Sequence, residues 1–177
     1  SAGTQPFTDA SGRYTIIYNG EFYNYRDYYA ELRADGVNFT SSSDTEVLLY
    51  LYIKYQQCCL EKINGFFAFA VYDSVENTLF VARDRMGIKP LYFIQTEQFF
   101  GFSSELKGIL EFPFERKLNN NALFAYLQFM YVPAPMTMVQ GVEKLEPGMS
   151  LFVSSSGVER NRYFSLEQSA EKKSRLS

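Results

Sequence analysis

The stretch from Phe66 to Tyr72 constrains the fold more than any other part of the chain. Its residues, FFAFAVY, are apolar on both faces of an extended strand. A strand with one solvent-exposed face would instead alternate apolar and polar side chains. We therefore expect a central strand that is covered on both faces. A hairpin turn at Asp73–Asn77 and a partner strand at Thr78–Ala82 are expected to follow.

Composition narrows the class of protein. The chain has 177 residues, a length typical of one domain. Its formal net charge is −3, and no long run of one sign favours nucleic acid or an anionic membrane as a partner. No apolar stretch is long enough to span a bilayer and the start has no signal-peptide pattern, so we expect a cytoplasmic protein. The chain has no His, the commonest metal ligand, and no metal site is expected.

Helices are predicted in groups rather than in alternation with strands. Asn24 is expected to cap a helix to about Ala34, and the Ser43 hydroxyl is expected to accept from the Glu46 N–H at the start of a second helix, to about Gln57. This grouping indicates an α+β fold with mostly antiparallel sheets. Further helices are predicted at Ser104–Leu110 and from Asn119–Asn121 to about Met130, and further strands at Tyr14–Tyr18, Leu91–Ile94, Phe99–Phe102, Leu151–Val153 and Val158–Tyr163.

Asn19, Gly20 and Glu21 follow the first predicted strand and suggest chemistry. An Asn-Gly pair at a strand end can aim a side-chain amide and a backbone N–H at one point. Two such donors are what an acyl-transfer enzyme needs to hold a developing oxyanion. The alternative is a hairpin turn, because Asn-Gly is a strong turn signal. The sequence shows no obvious nucleophile beside the pair.

Several motifs in order resemble class II glutamine amidotransferases, which are N-terminal nucleophile hydrolases. Two of them are similar to the glutamine-hydrolysing asparagine synthetase branch, namely Tyr131–Pro135 and Lys144–Gly148. The resemblance extends from Ser1 to about Leu166. The other motifs are Asn19–Asn24, Gly65–Asp73, Arg83–Tyr92 and Phe102–Lys107.

The resemblance implies a four-layer αββα sandwich and a glutaminase. In that family an N-terminal cysteine attacks the side-chain amide of glutamine, with its own α-amine as general base. Ammonia then passes to a C-terminal synthetase domain, where ATP, with Mg, activates aspartate. Residues 1–166 would be the glutaminase domain, and residues 167–177 the start of a linker to the synthetase domain.

The resemblance also assigns site residues. Asn19 and Gly20 would form the oxyanion hole, while Glu21 and Asp44 would contact the glutamine, with Asp44 pairing with its α-ammonium. The nucleophilic cysteine is absent from this sequence, because Ser1 resembles a position a few dozen residues downstream of it. We therefore expect a fold that is incomplete at its N-terminus and a chain without glutaminase activity.

Two further groups of residues are expected to be structural. Arg83, Asp84 and Arg85 could bind phosphate, but a salt-bridged loop is favoured because a glutaminase needs no phosphate contact. Cys58 and Cys59 have no candidate base nearby in sequence, so buried cysteines at a helix end are favoured over a nucleophile.

Alternative functions remain open at this point. Some relatives use this fold as a non-catalytic scaffold for a synthetase domain, and others amidate a sugar or peptide instead of aspartate. The expected partners are glutamine and the synthetase domain, with no cofactor in this domain. A homo-oligomer is also possible, since an incomplete sheet leaves an exposed edge.

Overall fold

The computed structural model describes residues 4–166 and contains nine strands and five α-helices in that part of the chain. The predicted linker at residues 167–177 lies outside the described residues. The elements are β1 (Phe7–Thr8), β2 (Tyr14–Phe22), α1 (Tyr25–Ala34), α2 (Asp44–Tyr55), α3 (Cys59–Lys62), β3 (Gly65–Asp73), β4 (Thr78–Arg83), β5 (Tyr92–Gln95), β6 (Phe100–Ser103), α4 (Leu106–Ile109), α5 (Asn120–Phe129), β7 (Val142–Lys144), β8 (Met149–Ser154) and β9 (Gly157–Arg162).

The strands form two antiparallel sheets. The larger has the order β1-β2-β3-β4-β8-β9 and the smaller the order β6-β5-β7. The Phe-rich segment is β3, a central strand between β2 and β4, as predicted. Its alternating side chains face opposite layers, with Phe67 and Phe69 toward α1 and α2 and Ala68 and Ala70 toward the smaller sheet.

Three apolar cores separate four layers. The first lies between α1, α2 and the larger sheet, and the second lies between the two sheets. The third covers the outer face of the smaller sheet with α4 and neighbouring loops, where Ile94 packs with Ile109. This helix–sheet–sheet–helix order confirms the predicted αββα sandwich.

The helix starts differ from the sequence prediction in detail. Ser43 caps α2, but its hydroxyl accepts from the Thr45 N–H rather than from Glu46. Asn24 precedes α1 without capping it through its side chain. Its amide instead bridges two main-chain groups before β3, donating to the Lys62 carbonyl and accepting from the Asn64 N–H, which binds the start of α1 to that strand. Sequence-local capping rules do not include such distant partners.

The loop after β4 is structural, as expected, but it is not salt-bridged within the described residues. The Arg83 guanidinium donates to three carbonyl oxygens, including those of Gly87 and Lys89 at 2.6 and 2.7 Å. The buried Asp84 carboxylate accepts from four backbone N–H groups, including that of Phe67. Each charge is satisfied by backbone dipoles, because the loop wraps around both side chains.

Candidate functional site

β2 continues to Phe22 through the Asn-Gly pair, so the alternative of a hairpin turn at Asn19-Gly20 is wrong. The residues from Tyr14 to Phe22 pair in one unbroken register with β3. Ile16 and Tyr18 point to the helix side and are buried there. Asn19 therefore projects from the opposite face, toward the gap between the two sheets.

Asn19 lines a cleft of about 460 Å³ between the larger sheet and the segment after β6. Its side-chain amide donates to the Ser104 hydroxyl at 3.3 Å, a long bond that links the two sides of the cleft. The floor is apolar and includes Ala68 and Phe102. The volume is within the range of small-molecule sites, and Asn19 presents an exposed N–H donor at its edge.

The Gly20 N–H points away from β3. It lies opposite Phe67, whose N–H and C=O both bond to Asp84 on the β4 side. Gly20 and Phe67 are therefore a non-hydrogen-bonded pair, and the Gly20 N–H points to the outer edge of β2. A Cβ on Gly20 would lie 2.2 Å from the Phe66 carbonyl oxygen, so the close approach of the two strands requires glycine here.

A side chain, rather than a strand, binds the edge of β2 next to Gly20. The Gln5 amide donates to the Tyr18 carbonyl at 2.7 Å and accepts from the Tyr18 N–H at 2.6 Å. β1 pairs with the neighbouring Thr15 and Ile16. Gln5 therefore takes the place that a strand residue would have, and it also lines the cleft beside Asn19.

Asp44 and Glu21 meet at the other end of this edge. Asp44 begins α2, and its carboxylate accepts from the Phe22 N–H at 3.1 Å. With the exposed Glu21 it lines a shallow depression, apart from the cleft that Asn19 lines. The predicted site residues thus lie along one strand edge, with Asn19 lining the cleft and Glu21 and Asp44 lining the depression.

The Tyr18 hydroxyl lies beneath this edge and is buried without a hydrogen-bond partner among the described residues. Burial raises the pKa of Tyr18, and the nearby Asp44 charge raises it further. A neutral phenol beside a carboxylate can donate a hydrogen bond to that carboxylate or to a group that binds there.

The two cysteines have different environments. Cys59 is buried, as expected, while Cys58 is exposed, which corrects the expectation for that residue. Burial raises the pKa of the Cys59 thiol, so little reactive thiolate forms. Within residues 4–166 there is no cluster of three or more potential metal-ligating side chains, and no helix is long and apolar enough to cross a bilayer.

Gln5, Tyr18 and Ser104 were missed by the sequence analysis. Gln5 lies 13 residues from the Tyr18 main chain that it binds, and Ser104 lies 85 residues from Asn19. Local periodicity cannot report such contacts. The one usable signal was that Ser104 belongs to the motif Phe102–Lys107.

Comparisons with known proteins agree with this fold. The sequence profile of the glutamine amidotransferase domain family matches residues 1–164. Asparagine synthetase [glutamine-hydrolyzing] 3 of Bacillus subtilis (strain 168) is 41% identical over 93% of this chain and 28% of its own length. The amidase chry2 of Gibberella zeae is 34% identical over 94% of this chain and 24% of its own length.

A solved structure shares the fold at lower identity. The allosteric regulatory enzyme of purine biosynthesis superposes with a TM-score of 0.62 at 22% identity, over 90% of this chain and 31% of that one. The chain therefore spans about a quarter to a third of the length of these proteins.

Proposed function

The chain belongs to the glutamine amidotransferase domain family, and on that premise we propose that it is the glutaminase part of an asparagine synthetase-like parent protein. Ammonia released from glutamine here would amidate aspartate elsewhere in that parent. The name and 41% identity of the Bacillus subtilis relative support this acceptor. The relative's greater length supports a separate synthetase region, which would bind ATP and Mg and lie in the cytoplasm with this domain.

One observation carries the proposal: β2 presents two different donors at neighbouring residues. The Asn19 amide projects into the cleft, and the Gly20 N–H points over the adjoining edge. A carbonyl oxygen bound at the corner between cleft and edge would meet both donors. As negative charge develops on that oxygen, both bonds strengthen, which is the requirement for an oxyanion hole.

The chemistry follows acyl transfer. A thiolate attacks the side-chain carbon of glutamine, and the carbon–oxygen π electrons move to the oxygen held by Asn19 and Gly20. The carbonyl then re-forms as the C–N bond breaks, and the departing nitrogen takes up the proton that the cysteine's α-amine removed from the thiol, so that ammonia leaves and a thioester remains. Water then hydrolyses the thioester to glutamate and restores the thiol. In this proposal the thiolate belongs to a cysteine that precedes Ser1 in the parent, because the Cys59 thiol is buried and has a raised pKa, and the exposed Cys58 does not line the cleft beside Asn19.

Asp44 and Glu21 would hold the amino-acid end of the substrate. An ammonium group in their depression would donate a charge-assisted hydrogen bond to the Asp44 carboxylate, whose position is fixed by the Phe22 N–H. Glu21 adds a second negative charge at the rim.

The experiment is a kinetic comparison in the parent protein. Asn19→Ala should lower kcat for ammonia release from glutamine by about 10²–10³-fold with a small change in KM, because the lost bond acts mainly in the transition state. Synthesis from free ammonia should be unchanged. Asn161→Ala, which removes an exposed amide on β9, is the matched control and should match the wild type.

Two results would contradict the proposal. A fall of less than twofold for Asn19→Ala would remove the oxyanion hole, and ammonia release by the 177-residue chain alone would place the nucleophile within it. A parent reading frame without Cys after its initiator Met would instead favour the non-catalytic scaffold.

A further inference from the structure

The Tyr18 hydroxyl is a buried polar group that the proposed acyl transfer does not use. The residue is 8% exposed, and its hydroxyl forms no hydrogen bond within residues 4–166. A buried hydroxyl without a partner lowers the stability of a fold, because it gives up its bonds to water. Such groups are rare in folded proteins, and a partner that arrives with a bound molecule is one explanation for them.

The Tyr18 ring lies directly beneath Gly20. Residues 18, 20 and 22 of β2 share the helix-side face of the larger sheet, and Tyr18 and Phe22 are buried there. A Cβ on Gly20 would lie 2.9 Å from Cε2 of the Tyr18 ring. The absence of a side chain at Gly20 therefore leaves the space that the ring occupies, and the ring extends along β2 in the direction of Phe22.

The Asp44 carboxylate lies at the hydroxyl end of this ring. It accepts from the Phe22 N–H at 3.1 Å, which fixes it against the same stretch of β2. Burial is the first cause of the raised pKa of Tyr18, and the Asp44 charge is the second, ahead of that of Glu21. The phenol is therefore close to Asp44, and it keeps the proton that it would donate.

The Tyr18 hydroxyl cannot reach the proposed oxyanion hole. Asn19 projects into the cleft from the opposite face of β2, while the Tyr18 side chain is buried on the helix side. The main chain of Tyr18 is also fixed, since the Gln5 amide binds both its N–H and its carbonyl. The side chain therefore stays beneath the strand, where Asp44 is the predicted site residue within its reach.

We propose that Tyr18 is a positioning residue for the amino-acid end of glutamine, and that its O–H donates to the Asp44 carboxylate in the substrate complex. The inference rests on the proposed function, in which Asp44 binds the α-ammonium. A carboxylate has about four lone-pair positions, of which the Phe22 N–H fills one, and the ammonium and the phenol would fill two more. Hydrogen bonds at such sites are often long in the free enzyme and shorten when substrate binds.

Kinetics in the parent protein test this role. Tyr18→Phe should raise KM for glutamine about tenfold with little change in kcat, because the lost bond supports ground-state and transition-state binding alike. Adding Tyr18→Phe to Asp44→Ala should cost less than about twofold more in kcat/KM, because the hydroxyl then has no carboxylate to hold. An unchanged KM for Tyr18→Phe, or equal losses with and without the Asp44 carboxylate, would overturn the inference.

The stability of the Tyr18→Phe variant should not fall with its affinity for glutamine. Because the hydroxyl forms no bond in the free chain, this variant should leave the urea midpoint of the 177-residue chain unchanged or raise it. Tyr28→Phe is the matched control. The Tyr28 hydroxyl packs against the same core and donates to the Lys62 carbonyl at 3.1 Å, so its loss should lower the midpoint without changing KM. A lower midpoint for Tyr18→Phe would show that its hydroxyl is structural, and the inference would be wrong.

Two outcomes separate the role of Tyr18 from the proposed function. If the wild-type parent releases no ammonia from glutamine, the proposed function is wrong, and this role is wrong with it. If the wild-type parent releases ammonia and Tyr18→Phe has the same KM, only the role of Tyr18 is wrong.

Discussion

α2 and α5 are both apolar helices with polar N-caps, yet their environments are opposite. In α2 seven residues are buried, whereas in α5 one residue is buried among those described. α2 packs with α1 and the larger sheet in the first core, while the segments that flank α5 are anchored through the Asn119 N–H to Met138 and through the Pro135 carbonyl to β7. Apolar composition therefore favours burial of a helix, but whether the helix is buried within this chain depends on the elements that lie next to it.

The largest expected contrast comes from truncating one leucine on each helix. Leu51→Ala should lower the free energy of unfolding by about 2–5 kcal/mol, because Leu51 is fully buried and the change leaves a cavity. Leu127→Ala should change it by about 0.5 kcal/mol or less. Urea unfolding of the 177-residue chain measures both, and similar losses for the two variants would break the comparison.

A buried carboxylate distinguishes α2 further. Glu46 is fully buried and accepts four hydrogen bonds, two each from Thr40 and Ser41. Glu46→Gln should cost about 2–3 kcal/mol, because the charge is lost and an amide NH₂ replaces one acceptor. Gln128→Ala, on the exposed surface of α5, should be nearly neutral in the same urea titration. If Glu46→Gln leaves the free energy of unfolding unchanged, the loop at Thr40 and Ser41 readjusts to the amide.

Removing the N-cap of α2 should destabilise the whole fold, whereas removing the N-cap of α5 should destabilise that helix alone. Ser43→Ala should lower the global free energy of unfolding by about 1 kcal/mol, since α2 unfolds with the core. Asn119→Ala removes a bond of similar strength, but it should instead speed exchange of the α5 amides about fivefold with little change in the global transition. Global destabilisation by Asn119→Ala would show that α5 and the core form one cooperative unit.

The smallest effect concerns pH. Glu31 of α1 accepts from Lys54 and Tyr55 at the end of α2, and the Lys54 bond holds the pKa of Glu31 below its usual value of 4.5. The pair therefore contributes stability above about pH 4.5 that is lost as the pH falls through the lowered pKa. Residues 120–129 contain no carboxylate or ammonium, so α5 should show no counterpart.

Thermal melts between pH 5 and pH 3 check this dependence. The wild type should lose slightly more stability on acidification than Glu31→Gln, which cannot titrate. Parallel melting curves for the two proteins would mean that the exposed pair contributes nothing measurable.

The sequence predicted the elements that local pattern controls. The Phe-rich strand, the hairpin that follows it and the ends of α5 follow from periodicity and turn residues, and the motif resemblance predicted the layers correctly. The predictions from sequence were wrong where a polar side chain forms its hydrogen bonds with groups that are distant in the sequence. Asn24 binds residues before β3, and Arg83 binds carbonyl oxygens rather than a carboxylate.

The candidate site shows the same division. The residues Asn19, Gly20, Glu21 and Asp44 were named from motifs, and their roles remain proposals. The sequence could not foresee that β2 would run through the pair, because a turn and a strand edge share the same local signal. Only the pairing of Gly20 with Phe67 reveals the direction of its N–H.

The Gln5 amide on the main chain of Tyr18 also affects how molecules of this protein can meet. An incoming strand that tried to extend the larger sheet along β2 would find one donor and one acceptor already occupied in the middle of the row. Continuous cross-chain pairing would first have to expel that glutamine. Gln5 therefore disfavours fibril-like growth from this edge, compared with a strand edge whose backbone groups are all unpaired.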